Sequence, residues 1–398
     1  MKRLVLALTI LLLLAPSADA ATLATTQRVL AREMAKAGGA SGAYVLDAGT
    51  GEELYSSNAD VARMPASVEK LYTSSAALLL YGASGRLSTT VLSASLPDDA
   101  GDIHGDVVLR GGGDPTFDTK DLSALAGQLT RAGLDRIDGR VIGDESAFDA
   151  FRGPPSSAFR LSSDVGPLSA LSYDHGRTGK RRPYWQSSPA RFAAQEFAKA
   201  LEKRGVKITG AARSGLAPTG MTPLRHWDSP TVADIVKAMN QPSDNYMAET
   251  LIKAIGADHG TAGSTVAGAD AIENTVARFK IAPQIQDGSG LSRNDRTTPR
   301  QVVQLLSGMA GTEQASAFDA SLPVVGRNGT LYRRMRGTAA QDRCHAKTGT
   351  LHDVSTLAGY CTTLGGRRVA FAFLMNATST WRAHPLQDAM TVALARLD

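Results

Sequence analysis

Three short strings constrain this 398-residue chain more than any other feature. In chain order they are Ser67-Val68-Glu69-Lys70, Ser243-Asp244-Asn245 and Lys347-Thr348-Gly349. Together they match enzymes in which a lysine activates a serine for attack on a carbonyl group. No string is convincing alone, because Ser-x-Asn has a second copy at Ser292-Arg293-Asn294. The order and the local context of the strings therefore carry the prediction.

The first string lies at the predicted start of a helix. Pro65 suits an opening turn, and the apolar run 71–81 ends at a glycine, so the helix is expected to be buried on most faces. Lys70 follows Ser67 by three residues, so their side chains share a face. A neutral Lys70 could take the serine proton if burial or a neighbouring cation lowered its pKa. The alternative is an ordinary helix start with a solvated lysine.

The second string interrupts a helical pattern. Residues 231–240 are amphipathic, Gln241-Pro242 breaks the pattern, and a new helix is predicted from residue 246. One interpretation is that Ser243 simply caps that helix. The functional interpretation places Ser243 and Asn245 on a loop facing a cleft. Ser243 would then pass a proton to a leaving amine, and Asn245 would hold the peptide group of a substrate.

The third string lies in the first of three β-rich segments, 345–351, 355–361 and 367–375. Three such segments in succession predict an antiparallel meander. The two-residue period puts Lys347 and Gly349 on one face and Thr348 and Thr350 on the other. Gly349 would leave room for a peptide against the strand edge. Lys347 would supply a fixed positive charge for a substrate carboxylate. The alternative is a solvated lysine on a hairpin.

The amino terminus predicts export. Residues 1–20 combine Lys2-Arg3, an apolar run over 4–14 and a small-residue cleavage site at Ala18-Asp19-Ala20, as secretory signals do. The apolar run is short for a spanning helix, so the mature chain is expected to carry none. The formal net charge is +5, without the basic run that nucleic acid demands. We expect secretion across the cytoplasmic membrane, into the periplasm or cell wall, and no nucleic-acid partner.

The two cysteines flank the Lys-Thr-Gly hairpin symmetrically. Cys344 and Cys361 would face each other if the hairpin has the expected register. Export permits oxidation, so a disulfide is the favoured interpretation and two buried thiols the alternative. Two distant cysteines without paired histidines make a poor zinc site. We expect no metal and no cofactor.

Pattern changes along the chain divide it into segments. Residues 21–86 hold an early hairpin and the serine helix, and residues 87–165 show short strands and turns. Residues 166–398 lead to further helices, the final meander and a closing helix predicted at 383–397. The sequence thus predicts a catalytic domain, 21–86 and 166–398, interrupted by a smaller α/β domain at 87–165.

With these strings assembled, the chain resembles the penicillin-binding DD-peptidases of the D-alanyl-D-alanine carboxypeptidase/endopeptidase type, the low-molecular-mass class C group. Further matching strings are Gly111-Gly112-Gly113-Asp114-Pro115-Thr116, Ser169-Ala170-Leu171-Ser172 and Asp287-Gly288-Ser289-Gly290-Leu291-Ser292-Arg293. The resemblance implies an α+β, β-lactamase-like catalytic fold with an antiparallel sheet between helices. It assigns residues 243–245, rather than 292–294, to the second motif. Larger relatives carry a further insert, for which the stretch near 174–188 is too short.

The resemblance also implies a mechanism. Ser67, deprotonated by Lys70, would attack the penultimate D-Ala carbonyl of a peptidoglycan stem peptide or cross-link. The N–H groups of Ser67 and Thr350 would hold the oxyanion, and Ser243 would protonate the departing D-amino acid. Its carboxylate would be bound by Lys347, Thr348 and Thr350. β-Lactams would act as covalent inhibitors by mimicking the substrate.

Two alternatives remain open from the sequence. A β-lactamase or related Ser-x-x-Lys esterase would need a dedicated base for deacylation, and no residue can be assigned to that role. A non-catalytic binder of peptidoglycan or β-lactams is less consistent with three intact strings, because binding alone does not need Lys70. The balance between carboxypeptidase and endopeptidase action is also left open.

Overall fold

The computed structural model describes residues 20–179 and 184–398. The predicted signal peptide, residues 1–20, therefore lies outside the described residues except for its last position. In the described ranges, no helix is long and apolar enough to cross a membrane. The α-helices of these ranges are α1 Leu23–Ala37, α2 Lys70–Tyr81, α3 Thr119–Arg131, α4 Pro189–Glu202, α5 Val232–Asn240, α6 Asn245–His259, α7 Thr265–Val276, α8 Pro299–Ala310, α9 Ala315–Ser321 and α10 Thr380–Ala395.

The strands are mostly short before residue 230 and long after residue 340. They are β1 Ser41–Asp47, β2 Glu53–Ser57, β3 Ser88–Ser93, β4 Asp102–Ile103, β5 Val107–Arg110, β6 Arg136–Ile137, β7 Val141–Asp144, β8 Arg177–Thr178, β9 Tyr184–Trp185, β10 Lys207–Ile208, β11 Arg213–Ser214, β12 Thr222–Asp228, β13 Cys344–Leu351, β14 Val354–Thr362 and β15 Arg368–Asn376.

The larger sheet carries the last three strands. Its order is β13-β14-β15-β1-β2, and every neighbouring pair is antiparallel. Alternation along β15 explains how both faces are covered. Its large residues Phe371 and Phe373 face α1 and α10, whereas its small residues Ala370 and Ala372 face the layer that contains α2, α5, α6, α7, α8 and α9. Small side chains let that helical layer approach closely. The predicted α+β fold, with helices on both faces of an antiparallel sheet, is confirmed.

A second unit has its own sheet and core. The sheet order is β11-β7-β5-β3-β12, and α3 and α4 contribute Leu125 and Phe197 to a core shared with Val107 and Val141. Strand β12 pairs antiparallel with β3. The unit therefore extends to residue 228, and the predicted boundary at 165 is too early. The boundary was missed because β10 and β11 have only two residues each and β12 is mostly exposed, so none of these strands shows an alternating pattern.

Part of the second unit packs back on the catalytic layers. Phe148 and Ala170 join the same apolar cluster as the buried faces of α2 and α6. Val165 and Leu168 pack with Tyr246, in the first turn of α6. The short hairpin β8–β9 lies in the stretch 174–188, of which residues 180–183 are outside the described ranges. These contacts set the second unit beside the end of α6 that carries the second string.

Two elements differ from the sequence prediction. Helix α1 was not predicted, although its Leu30 and Met34 contribute to the core under the sheet. The serine helix does not begin as an α-helix, because residues Ala66–Glu69 form a 3₁₀ turn before α2. Ala66 has a φ of 48°, so the chain enters this turn in the left-handed region that most residues avoid. This sharp entry positions Ser67 at the end of the helix.

Candidate active site

Ser67 is the second residue of the 3₁₀ turn, and Lys70, three residues on, is the first residue of α2. In such a turn residues three apart are eclipsed, so the two side chains point the same way. Lys70 Nζ lies 3.1 Å from Ser67 Oγ. Lys70 is fully buried, with 0% of its surface exposed. The solvated-lysine alternative is therefore wrong for this residue.

Two further groups accept hydrogen bonds from Lys70. Its Nζ donates to Asn245 Oδ1 at 2.7 Å and to the Ser289 carbonyl at 2.7 Å. Burial lowers the pKa of Lys70 to about 8, against an opposing effect from the carboxyl groups of Asp287 and Glu249. A lysine with such a pKa is neutral often enough near neutral pH to accept a proton.

The second string is built differently from the prediction. Asp244, not Ser243, caps α6 by accepting from the Met247 N–H, and Asn245 is the first residue of that helix rather than a loop residue. Ser243 has a φ of 64°, in the left-handed region. This conformation brings its Oγ within 2.8 Å of Lys347 Nζ. Side chains from two of the strings therefore meet at Ser243, and Asn245 brings the second string to Lys70.

Lys347 is buried on the edge strand β13. Besides Ser243 Oγ, its Nζ donates to the Thr348 carbonyl at 2.8 Å. Burial, and secondarily the charge of Lys70, places the pKa of Lys347 well below its usual value. No carboxylate of the described residues pairs with this amine, so burial disfavours the positive charge that was expected of it in the free enzyme. A bound carboxylate would favour its charged form.

The structure explains the glycine at position 349 differently from the sequence prediction. A Cβ at this position would lie 2.7 Å from the Pro65 carbonyl oxygen and 2.9 Å from the Ser67 nitrogen. The glycine therefore makes room for the serine turn rather than for a substrate peptide. The close packing sets strand β13 directly beside the nucleophile.

The outer edge of β13 presents backbone groups to the cleft. Antiparallel pairs alternate between bonding inward to the neighbouring strand and pointing outward. Cys344 and Ala346 point outward, since the Cys344 carbonyl accepts from Val325 and the Ala346 N–H donates to Pro323. By the same parity, the N–H groups of Thr348 and Thr350 point away from β14. An edge with such groups can pair with an extended peptide.

The two cysteines are opposite each other in the register of β13 and β14. Cys344 pairs with Cys361, and the sulfur atoms are 2.03 Å apart. Both cysteines are fully buried in the core on the α1 and α10 side. The bridge therefore joins the strand of Lys347 to its neighbour, three residues from that lysine.

The loop and the carboxyl groups that lie next to the Lys70 amine were not identified from the sequence. The 287–292 loop supplies the Ser289 carbonyl, and four buried carboxyl groups surround it. They are Glu69, Glu249, Asp287 and Asp295. The Asp-Gly-Ser-Gly string supported only a family resemblance, although a conspicuous turn string could have pointed to this loop. Over the described ranges, no cluster of histidine, cysteine and acidic residues has the geometry of a metal site.

A cavity of about 440 Å³ adjoins the second string. Ser243, Asn245 and Tyr246 form one wall, and the other walls come from the second unit and the β8–β9 hairpin. The side chain of Arg177 stacks on Trp185 at 4.7 Å. The cavity therefore lies between the second string and the face of the second unit.

These features define a class of protein. A serine beside a buried lysine, an Asn-bearing helix and an edge strand with a second buried lysine make a serine hydrolase of the Ser-x-x-Lys type, suited to acyl transfer. Comparison with known families places the chain within that class. The model of the D-Ala-D-Ala carboxypeptidase 3 (S13) family matches residues 27–180 and 177–397. The chain belongs to this peptidase family.

Individual relatives agree with this assignment. The chain is 30% identical to a D-alanyl-D-alanine carboxypeptidase of Actinomadura sp., over 90% of this chain and 81% of the relative. It is 32% identical to a carboxypeptidase of Mycolicibacterium smegmatis, over 83% of this chain and 75% of the relative. The predicted family and the predicted enzyme class, a serine-type D-Ala-D-Ala carboxypeptidase, are confirmed.

A solved structure shares the fold at lower identity. Penicillin-binding protein 4 of Haemophilus influenzae superposes with a TM-score of 0.78 at 20% identity, covering 91% of this chain and 97% of that chain. A peptidoglycan endopeptidase of Bdellovibrio bacteriovorus superposes with a TM-score of 0.58 at 18% identity, over 85% and 86% of the two chains. These two likenesses concern the fold. The roles of individual site residues rest on the geometry described above.

Proposed function

We propose that this chain is an exported DD-peptidase that cleaves D-Ala-D-Ala ends or D-Ala cross-links of peptidoglycan through an acyl-enzyme on Ser67. The observation that carries this proposal is the 3.1 Å contact between Lys70 Nζ and Ser67 Oγ, made by a lysine whose pKa burial lowers to about 8. Family membership supports the substrate class. The positions of the other residues in the three strings suggest their roles.

Lys70 is proposed as the general base. A neutral lysine has two N–H donors and one lone pair. Asn245 Oδ1 and the Ser289 carbonyl can only accept, so they take the two donors. The lone pair then points at Ser67, whose hydroxyl can donate. As Ser67 Oγ bonds to the substrate carbonyl carbon, its proton passes to Lys70.

The oxyanion is proposed to lie between the serine turn and the edge strand. Ser67 N–H belongs to the first turn of a helix, where backbone donors lack intrahelical partners. Thr350 N–H points outward from β13, which packs directly beside that turn. Two such backbone donors suit the charge that develops on the carbonyl oxygen.

The terminal carboxylate is proposed to bind at Lys347, Thr348 and Thr350. Lys347 is already within 2.8 Å of Ser243 Oγ. Ser243 can therefore deliver its hydroxyl proton to the departing amine and recover the one that Lys70 took from Ser67, while the carboxylate of the same D-amino acid pairs with the Lys347 ammonium. Water then attacks the Ser67 ester, releases the acyl group and restores the serine.

β-Lactams are proposed to acylate the same serine and to leave slowly. A solved β-lactam complex exists for penicillin-binding protein 4 of Haemophilus influenzae, which shares this fold. Membership of a family of cell-wall enzymes supports action outside the cytoplasm, and the residue 1–20 pattern supports secretion.

The test combines two measurements on the mature protein. A fluorescent penicillin is expected to label the wild type covalently and to persist for minutes or longer, whereas Ser67→Ala should fold and remain unlabelled. Purified muropeptides are then digested and the products identified by mass. Released D-Ala indicates carboxypeptidase action and separated dimers indicate endopeptidase action. Rapid catalytic hydrolysis of penicillin would instead identify a β-lactamase, and binding without either reaction would identify a non-catalytic binder.

A further inference from the structure

Two buried carboxyl groups outside the three strings contact the loop that bonds to Lys70 on the side away from Ser67. Building on the proposed function, we propose that Glu249 and Asp287 are positioning residues. Their carboxyl groups hold the 287–292 loop so that the Ser289 carbonyl stays on Lys70 Nζ. They would act on catalysis through that carbonyl, without touching the substrate.

Glu249 lies on α6, one turn beyond Asn245 on the same helix. Its Oε1 accepts from the Ser289 N–H at 2.9 Å. The carbonyl of the same residue, Ser289, accepts from Lys70 Nζ at 2.7 Å. Ser289 therefore connects the carboxyl group of Glu249 to the amine of Lys70, through its own N–H and carbonyl groups.

Asp287 holds the loop from inside its own turn. Its Oδ1 accepts from the Gly290 N–H at 2.6 Å and from the Ser289 N–H at 3.2 Å, and its Oδ2 accepts from the Ser292 N–H at 2.7 Å. Three backbone donors on one carboxyl group leave the loop little freedom to change shape.

The 287–292 loop also packs tightly between α6 and the serine turn that leads into α2. A Cβ on Gly288 would meet the Ala248 carbonyl of α6, and one on Gly290 would meet the Ala66 carbonyl of the serine turn. Thr73 Oγ1, on α2, donates to the Gly288 carbonyl at 2.8 Å. The loop thus fixes the distance between α6 and the helix that carries Lys70.

This position matters because of how Lys70 must be oriented. Neutral Lys70 points its lone pair at Ser67 only while both of its N–H groups are held by acceptors. Asn245 Oδ1 holds one and the Ser289 carbonyl holds the other. If the loop shifted, the amine could rotate, and an N–H rather than the lone pair would face Ser67 Oγ.

The burial of Glu249 supports a specific role. It is fully buried, and its Oε2 has no hydrogen-bond partner among the described residues. Burial raises the pKa of Glu249 to about 8, and the neighbouring carboxyl of Asp287 adds to that effect. An apolar side chain of similar size would avoid this desolvation cost. An apolar side chain, however, could not accept the hydrogen bond from the Ser289 N–H, as Glu249 Oε1 does.

The experiment compares acylation rates of the mature enzyme with a fluorescent penicillin, together with kcat and KM for D-Ala release from a D-Ala-D-Ala peptide. The variants are Glu249→Gln, Glu249→Met, Asp287→Asn and the control Thr250→Val. Glutamine keeps an acceptor for Ser289 N–H, methionine keeps only the volume, and Asp287→Asn removes one of the two acceptor oxygens in the turn. Thr250→Val is a buried polar-to-apolar change one residue along α6. Near-ultraviolet circular dichroism and melting temperatures identify the folded variants.

We expect Glu249→Gln and Thr250→Val to acylate within about threefold of the wild type, while Glu249→Met and Asp287→Asn slow about tenfold or more, with KM little changed. The assignment would be overturned if folded Glu249→Met acylated as fast as Glu249→Gln. It would also be overturned if the acylation rate of Glu249→Gln fell as far as that of Glu249→Met. If Glu249→Met does not fold, Asp287→Asn decides, and a wild-type rate there overturns it. An unlabelled wild type would instead refute the proposed function itself.

Discussion

At the scale of single residues, Lys70 should set the pH dependence of acylation. Burial lowers its pKa to about 8, and its neutral form is the proposed base, so about one molecule in ten should carry the active form at pH 7. The acylation rate should rise about tenfold between pH 6 and 7 and level off above pH 8. Stopped-flow labelling from pH 6 to 10 measures this. Lys70→Ala should be slow at every pH, and a flat wild-type profile would argue for a different base.

Lys347 should act on recognition more than on activation. Lys347→Ala removes the amine beside Ser243, so KM for a peptide with a free terminal carboxylate should rise about tenfold or more. A peptide with an amidated terminus lacks that carboxylate and provides the matched control. The variant should lose most of the wild-type preference for the free carboxylate. Retention of the full preference would place the carboxylate elsewhere.

At the scale of elements, the Cys344–Cys361 bridge should stiffen the edge strand. It closes a loop with a sequence separation of 17, which in the chain-entropy model stabilises the fold by about 3 kcal/mol. Reduction, or Cys361→Ser, should lower the melting temperature and raise KM, while Ser67 remains acylated because neither sulfur takes part in the chemistry. Thiol titration of the denatured, unreduced protein is the control. Two titratable thiols would show that the bridge does not form in solution.

The final meander was predictable because its three β-rich segments follow one another along the chain. The two cysteines lie symmetrically about its first turn, so the pairing of Cys344 with Cys361 could also be expected. The end of the second unit could not, because β11 has two residues and β12 is mostly exposed and gains its place only by pairing with β3. The contacts of Ser289 were also hidden, since a backbone carbonyl has no residue type and its position depends on tertiary packing.

At the scale of the whole molecule, an ion pair between a buried lysine and a partly exposed aspartate connects α6 to the second unit. Lys253 Nζ, on α6, donates to Asp149 Oδ1 at 2.6 Å, and its side chain is only 1% exposed. Asp149→Ala should therefore cost about 3 kcal/mol of stability, because it leaves a buried ammonium with only the Phe151 carbonyl. Calorimetry measures this cost.

The matched double variant tests the cause of that loss. Adding Lys253→Met to Asp149→Ala removes the unpaired charge and should restore much of the stability. Both variants should still be labelled by penicillin, because the pair lies two turns from Asn245. An additive, unrecovered loss would mean that packing rather than the unpaired charge is responsible.

The chain leaves the catalytic domain and returns to it at almost the same point. Leu87 N–H donates to Ser229 Oγ at 3.0 Å, and Ser229 N–H donates to the Leu87 carbonyl at 2.8 Å. The two chain connections of the second unit thus pass through one hydrogen-bonded pair of residues. Recombination at that junction could replace the second unit as a whole without changing the backbone of the catalytic domain. The junction is consequently the place where the second unit could be replaced by protein engineering while the serine stays in place.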